Sequence, residues 1–293
     1  MQHKVHVIGA NSGWGAQVHA CEDAPEKIFL RKVLTTLRDE GVQIAEIDML
    51  YSELHAKEHH PPLRDLLPLI HSMNLRLAKV VAQALGNQYF PLILGGDHAI
   101  AVGTWNGVHQ KVPSLGLLWV DAHMDSHTPA TTPSGAWHGM PLAALLGHGP
   151  PEMAALLQAK PVFRPEQVAL IGVRSFEEGE AELLRKLQVK IYYMQEVRER
   201  GLDAIFAEAK EYILKSAKHF GVSWDLDVFD PTEAPGVGSL EAGGLFWPEV
   251  LSALPHLRDA RLQAFELVEY NPERDRETKT LKLAYRLLRE VLR

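Results

Sequence analysis

Three short segments of the chain are apolar from end to end: Phe90 to Leu94 (FPLIL), Leu115 to Val120 (LGLLWV) and Val168 to Val173 (VALIGV). A strand with one face in water alternates apolar and polar residues. A strand without that alternation has both faces covered, as in a parallel sheet with helices packed on each side. Further strands are expected at Val5 to Gly9, Val42 to Asp48, Val189 to Tyr193, Gly221 to Trp224 and Arg261 to Val268. Between them lie stretches with apolar residues at helical spacing. Helices are expected over Ala24 to Glu40, Leu66 to Leu85, Ile100 to Gln110, Pro141 to Leu146, Gly179 to Leu187, Leu202 to Ala217 and Thr278 to Leu292. The polar, proline-bearing stretch from Tyr51 to Leu63 reads as a loop. Strands alternating with helices predict an α/β fold, a three-layer αβα sandwich around a mainly parallel sheet. No repeat or linker divides residues 1–293, so one domain is expected.

Composition excludes some classes of partner. Net charge is -7 and the sequence pI is about 6.1, whereas a nucleic-acid face is basic. No apolar run approaches the roughly 18 residues of a membrane span. Cys21 is the one cysteine, so no intrachain disulfide forms. The first residues run into a strand without a signal-like apolar region, and a cytoplasmic protein is expected.

In open α/β sheets, ligands bind beyond the carboxyl ends of the strands. Three motifs stand there. Gly95-Gly96-Asp97-His98 follows FPLIL, Asp121-Ala122-His123-Met124-Asp125 follows LGLLWV, and Asp225-Leu226-Asp227 ends the strand GVSW. Residues i, i+2 and i+4 of an extended segment face one way, which would point Asp121, His123 and Asp125 together, and Asp225 with Asp227. Alone, each motif has an ordinary reading as a cap, a turn or a surface pair. Jointly they place several carboxylates at buried strand ends, which without a cation costs several kcal/mol for each. Six donors, rich in carboxylate with some imidazole, exceed what one tetrahedral ion takes. They suit two divalent ions, Mn²⁺ ahead of zinc, which about 3.5–4 Å apart ionise one water.

The order of these motifs resembles the ureohydrolases, the family of arginase and agmatinase, and is closest to arginase. The resemblance extends through Leu94-Gly95-Gly96-Asp97-His98-Ala99-Ile100, the loop Thr132-Pro133-Ser134-Gly135-Ala136-Trp137-His138-Gly139, Ser223 to Pro231, and Glu266-Leu267-Val268-Glu269-Tyr270-Asn271-Pro272. It spans nearly the whole chain and is weakest near the N-terminus. It implies an arginase/deacetylase-like fold and two Mn²⁺ per subunit, one held by His98, Asp121, Asp125 and Asp225, the other by Asp121, His123, Asp225 and Asp227. It also implies attack of a metal-bridging hydroxide on a guanidinium carbon. Asp125 orients the hydroxide, His138 carries a proton and Glu269 grips the guanidinium, all by resemblance. Glu266 and Asp97 are given no chemistry. A homo-oligomer, trimer or hexamer, follows from resemblance alone.

The chain departs from the arginase pattern at the far end of the pocket. His127 stands where arginases carry an asparagine that meets the substrate carboxylate. Ala136 replaces a second asparagine, and Glu177 replaces an aspartate that faces the substrate amine; Ser134 is kept. His127, Ser134 and Glu177 are therefore the candidate substrate-binding residues. L-arginine, cleaved to L-ornithine and urea, is the expected substrate, with another guanidino compound (agmatine or a guanidino acid) as the alternative. A metal-stabilised regulatory protein and a one-zinc deacetylase fit less well, because all six ligand positions are filled.

Overall fold

A computed structural model describes residues 4–30, 32–54 and 65–293. Eight strands form one sheet: β1 Val5–Asn11, β2 Ile44–Tyr51, β3 Phe90–Gly95, β4 Leu115–Val120, β5 Val168–Val173, β6 Lys190–Tyr193, β7 His219–Asp225 and β8 Leu262–Val268. Their order is β2-β1-β3-β8-β7-β4-β5-β6, and all the pairings are parallel. Helices cover both faces, so the molecule is the three-layer αβα sandwich that the apolar strands require.

Side-chain alternation divides the interior into two main cores. Val5 and Val7, Leu92 and Leu94, Leu118 and Val120 face one core, with the helices Leu202–Leu214, Trp247–Ala253 and Lys279–Leu292. Ile8 and Ala10, Ile93, Leu117 and Trp119 face the other, with the helices Leu67–Gly86 and Ala101–Lys111. A strand buried on both faces needs apolar residues at odd and even positions alike, which is why β3, β4 and β5 read as unbroken apolar runs. β2, at the edge, is mostly exposed and carries Glu46 and Asp48 instead.

One expected helix is two. The segment from Ala24 to Glu40 forms helices Ala24–Leu30 and Val33–Asp39, with Lys32 between them at φ 64°. At about 100° per residue, a straight helix would set Val33, Leu34 and Leu37 on the side opposite Ala24 and Ile28. The break turns both groups into the same core, where all five are buried. Three α-helices had no expected counterpart, Pro151–Ala154, Met194–Arg200 and Trp247–Ala253. The first is four residues long and the others seven, too short for their apolar spacing to stand out. Tyr51, where the sequence predicts the start of a loop, is the last residue of β2; residues 55–63 of that expected loop lie outside the described residues. Among the described residues no helix is long and apolar enough to cross a membrane.

Candidate active site

The carboxyl ends of the four central strands β3, β8, β7 and β4 lie side by side, and each delivers part of one cluster. His98 follows β3 in a short turn that Asp97 caps, its Oδ1 accepting the Ala99 N–H at 2.9 Å and its Oδ2 the Gly15 N–H at 2.8 Å. Asp97 is thus a structural residue, tying the β1 loop to β3. Gly96 makes that approach possible: a Cβ there would lie 1.8 Å from the Ser12 carbonyl oxygen.

Beyond β4, Asp121, His123 and Asp125 do converge, but not along an extended strand. The chain leaves the strand at Val120 and folds back, with Asp121 Oδ1 accepting the His123 N–H at 2.7 Å and Asp125 in the left-handed region at φ 48°. Asp225 closes β7. Its Oδ1 accepts the Asp227 N–H at 2.7 Å and so caps the turn Leu226–Val228. Local turns, in which a carboxylate binds a backbone N–H two residues on, do the work assigned to pleating in the sequence.

His98 Nδ1 lies 3.2 Å from Asp121 Oδ2, 3.0 Å from Asp125 Oδ2 and 3.2 Å from Asp225 Oδ2. It is buried, yet makes a well-formed hydrogen bond to none of them. Such an atom is aimed at a point shared by three oxygens, as a metal ligand is. His123 Nδ1 lies 2.9 Å from Asp227 Oδ2 and 3.5 Å from Asp121 Oδ1. At these strand ends two groups therefore have ligand atoms close enough for one ion each, His98–Asp121–Asp225 and Asp121–His123–Asp227, and Asp121 belongs to both.

The electrostatics agree. Burial, then Asp227 and Asp121, push Asp225 well above the usual carboxylate range. Burial and Asp121 bring Asp125 to about 6. Burial opposes charge on His98, but the surrounding carboxylates outweigh it and raise the imidazole well above its ordinary value. Carboxylates buried this closely draw in positive charge, and two divalent cations fit the donor set present.

Three residues without an assigned role hold the cluster in place. Trp119 stacks on the His98 ring at 4.2 Å and donates its indole N–H to Asp121 Oδ2 at 2.9 Å. Ser223 Oγ lies 2.9 Å from His98 Nε2 and donates to Glu266, which also accepts the Trp105 indole N–H; Glu266 is thus structural. Arg174 donates to the backbone carbonyls of Asp227, Val228, Phe229, Glu241 and Ala242, pinning the loops beside the second group. An arginine directly after VALIGV was a visible signal for the last of these.

Above the cluster opens a pocket lined by His123, Asp125, Asp225, Asp227, His138, Glu269 and, farther out, His127, Ser134, Ala136, Glu177 and Glu180. No lysine or arginine is among its described lining residues. His138 Nδ1 lies 3.0 Å from Glu269 Oε1. Burial opposes the charged imidazole, but Glu269 outweighs it and brings the pKa to about 9. Glu269, buried and at φ 64°, also accepts the His98 backbone N–H at 2.8 Å. At the far end His127 is engaged on both ring nitrogens, Nε2 2.9 Å from Glu177 Oε2 and Nδ1 3.2 Å from Thr131 Oγ1. Ser134 Oγ accepts the Ala136 N–H at 3.1 Å.

A parallel αβα sandwich with paired histidine–carboxylate groups at its central strand ends defines a hydrolase with a candidate binuclear metal centre. Comparison with known proteins gives the family. The sequence profile of the arginase family matches residues 3–293, and the chain belongs to that family. It is 42% identical over 223 residues to the arginase of Bacillus caldovelox, covering 76% of this chain and 75% of that one. It is 35% identical to the arginase of Brevibacillus brevis, covering 99% and 98%. The crystal structure of arginase from Bacillus subtilis superposes with a TM-score of 0.89 at 34% identity, over 99% of this chain and 98% of that one. The protein is an arginase-type ureohydrolase, a hydrolase acting on a guanidino C–N bond.

Proposed function

We propose that the protein hydrolyses L-arginine to L-ornithine and urea with two Mn²⁺ per subunit. The observation that carries this reading is the pair of ligand groups sharing Asp121 at the base of a pocket walled by His138 and Glu269. His98, Asp121, Asp125 and Asp225 would hold one cation, and Asp121, His123, Asp225 and Asp227 the other. Ionised water at neutral pH is the chemistry that such a pair supplies when bound.

The remaining work belongs to the chain's own side chains. Glu269 accepts an N–H of the guanidinium and holds its carbon above the cluster, a charge-assisted contact. Asp125 orients the attacking water. His138, beside Glu269 and a quarter exposed at its side chain, carries a proton between the site and solvent. Glu177, His127 and Ser134 meet the α-amino and α-carboxylate groups at the far end. In the same reading the chain is one domain, works in the cytoplasm and forms a homo-oligomer. Its sheet takes strands from Val5 to Val268, which supports the first of these.

A second reading has its own support. His127 is already partnered by Glu177 and Thr131, so an α-carboxylate must open that pair to reach the imidazole. A guanidino compound with another tail would not. The test is urea release by the Mn²⁺-loaded protein from L-arginine, agmatine and guanidino acids side by side, with metal counted per chain. Release from L-arginine at two Mn²⁺ per chain supports the first reading. Preference for another tail supports the second, and no urea from any of them overturns both.

A further inference from the structure

The only cysteine of the chain touches the machinery of this site. Cys21 sits in the turn His19–Asp23, fully buried, with Sγ 3.4 Å from Glu269 Oε2. The two residues are 248 positions apart in the chain. Burial first, then the neighbouring charge of Glu269, pushes the thiol well above its ordinary pKa, so it stays a donor.

A carboxylate offers about four acceptor positions, two on each oxygen. On Glu269 the Oε1 pair is taken by the His98 backbone N–H and by His138 Nδ1. Cys21 takes one position on Oε2. Gly238 closes in on the same oxygen, since a Cβ there would lie 2.5 Å from Oε2 and 3.7 Å from the Cys21 sulfur. One acceptor position remains for an incoming N–H. Glu269 thus has room for a single-point contact with a guanidinium, not the two-point grip its carboxylate would otherwise allow.

We propose that Cys21 is a positioning residue for the hydrolytic reaction: its S–H holds Glu269 Oε2 and leaves that oxygen's other lone pair as the one point that receives the substrate guanidinium. The inference rests on reading Glu269 as the guanidinium-binding carboxylate. A thiol is a weak donor. It orders the carboxylate while withdrawing little of the negative charge that attracts the cationic substrate. An alkyl side chain here would leave Oε2 without a donor, its orientation set only by the bonds to Oε1.

Because there is one cysteine, its S–H stretching band in the infrared is unambiguous. In the Mn²⁺-loaded wild-type protein the band should lie below the frequency of an unbonded thiol, and Glu269→Gln should move it upward. Cys21→Ala should raise KM for the guanidino substrate about 3- to 10-fold, the worth of a hydrogen bond to a charged group weakened by its thiol donor, with kcat changed less. Cys21→Ser, which restores a donor, should return KM to near the wild-type value. A wild-type band at the unbonded frequency, a band indifferent to Glu269→Gln, or a Cys21→Ala enzyme with wild-type KM would each overturn the proposal. Should Cys21→Ala fail to fold, the wild-type band and the serine variant still decide. Should no guanidino compound be hydrolysed, the parent reading fails. The band, and the calorimetric affinity of Cys21→Ala and Cys21→Ser for methylguanidinium, then decide the role of Cys21 separately.

Discussion

Trp119 and His98 lie face to face, their ring centroids 4.2 Å apart and their planes within 10° of parallel. The tryptophan is the penultimate residue of β4 and the histidine follows β3, strands that are not neighbours in the sheet. One side chain thereby sets the orientation of an imidazole and, through its N–H to Asp121 Oδ2, of the carboxylate common to both candidate metal groups.

Trp119→Phe keeps an aromatic face against His98 and loses the N–H to Asp121. Groups that orient metal ligands typically contribute 10–100-fold in affinity, so Mn²⁺ binding should weaken by about 10-fold or more. The protein should stay folded, since the replacement is smaller and apolar. Isothermal calorimetry with Mn²⁺ on the chelated protein measures this. An unchanged isotherm would mean that Asp121 needs no orientation from the indole.

Asp121 and Asp227 should separate in their effects. Asp121 belongs to both groups and Asp227 to one. Asp227→Asn is expected to bind close to one Mn²⁺ per chain, and Asp121→Asn to lose tight binding of both, with urea release reduced by orders of magnitude in each. Elemental analysis after desalting gives the counts. Equal metal content in the two variants would contradict the sharing of Asp121.

In the metal-free protein the His138–Glu269 pair makes stability depend on pH. The His138 pKa is raised, so its stabilisation is fully present below about 6.5, the unfolded value, and is lost as pH rises through about 9. His138→Asn removes it. With the ring a quarter exposed, the difference between wild type and variant should shrink by about 1–2 kcal/mol between those limits. Chemical denaturation of the chelated proteins across this range tests it, and a gap that is constant or widens with pH would refute the pairing.

Gly96→Ala should cost more than any ordinary glycine replacement. Its Cβ would fall 1.8 Å from the Ser12 carbonyl oxygen, where backbone must move. That movement pulls apart the β1 loop and the turn carrying His98. A loss of more than about 3 kcal/mol is expected, beyond the common range for single substitutions. A melting temperature within a few degrees of wild type would show that the loop yields easily.

Much was legible without coordinates. The unbroken apolar runs before Gly95, Asp121 and Arg174 announce strands covered on both faces, because only such strands need apolar residues at every position. That placed the motifs at strand ends, and the pattern of their acids and histidines marked the cluster. Spacing alone misled on how Asp121, His123 and Asp125 meet. They meet through turns capped by their own carboxylates, and a turn and a strand can share one spacing.

Local order in a chain follows from neighbours in sequence, and that much the sequence determined here: the strands, most helices, and which residues stand at the mouth of the sheet. What joins residues far apart was decided only by the tertiary structure. The strand order sets β3, β8, β7 and β4 side by side. The closure of His127 on Glu177, and of Cys21 and His138 on Glu269, follows from how the loops pack over those ends. Contacts of that kind depend on shape and burial across the whole molecule, which no local pattern of residues encodes.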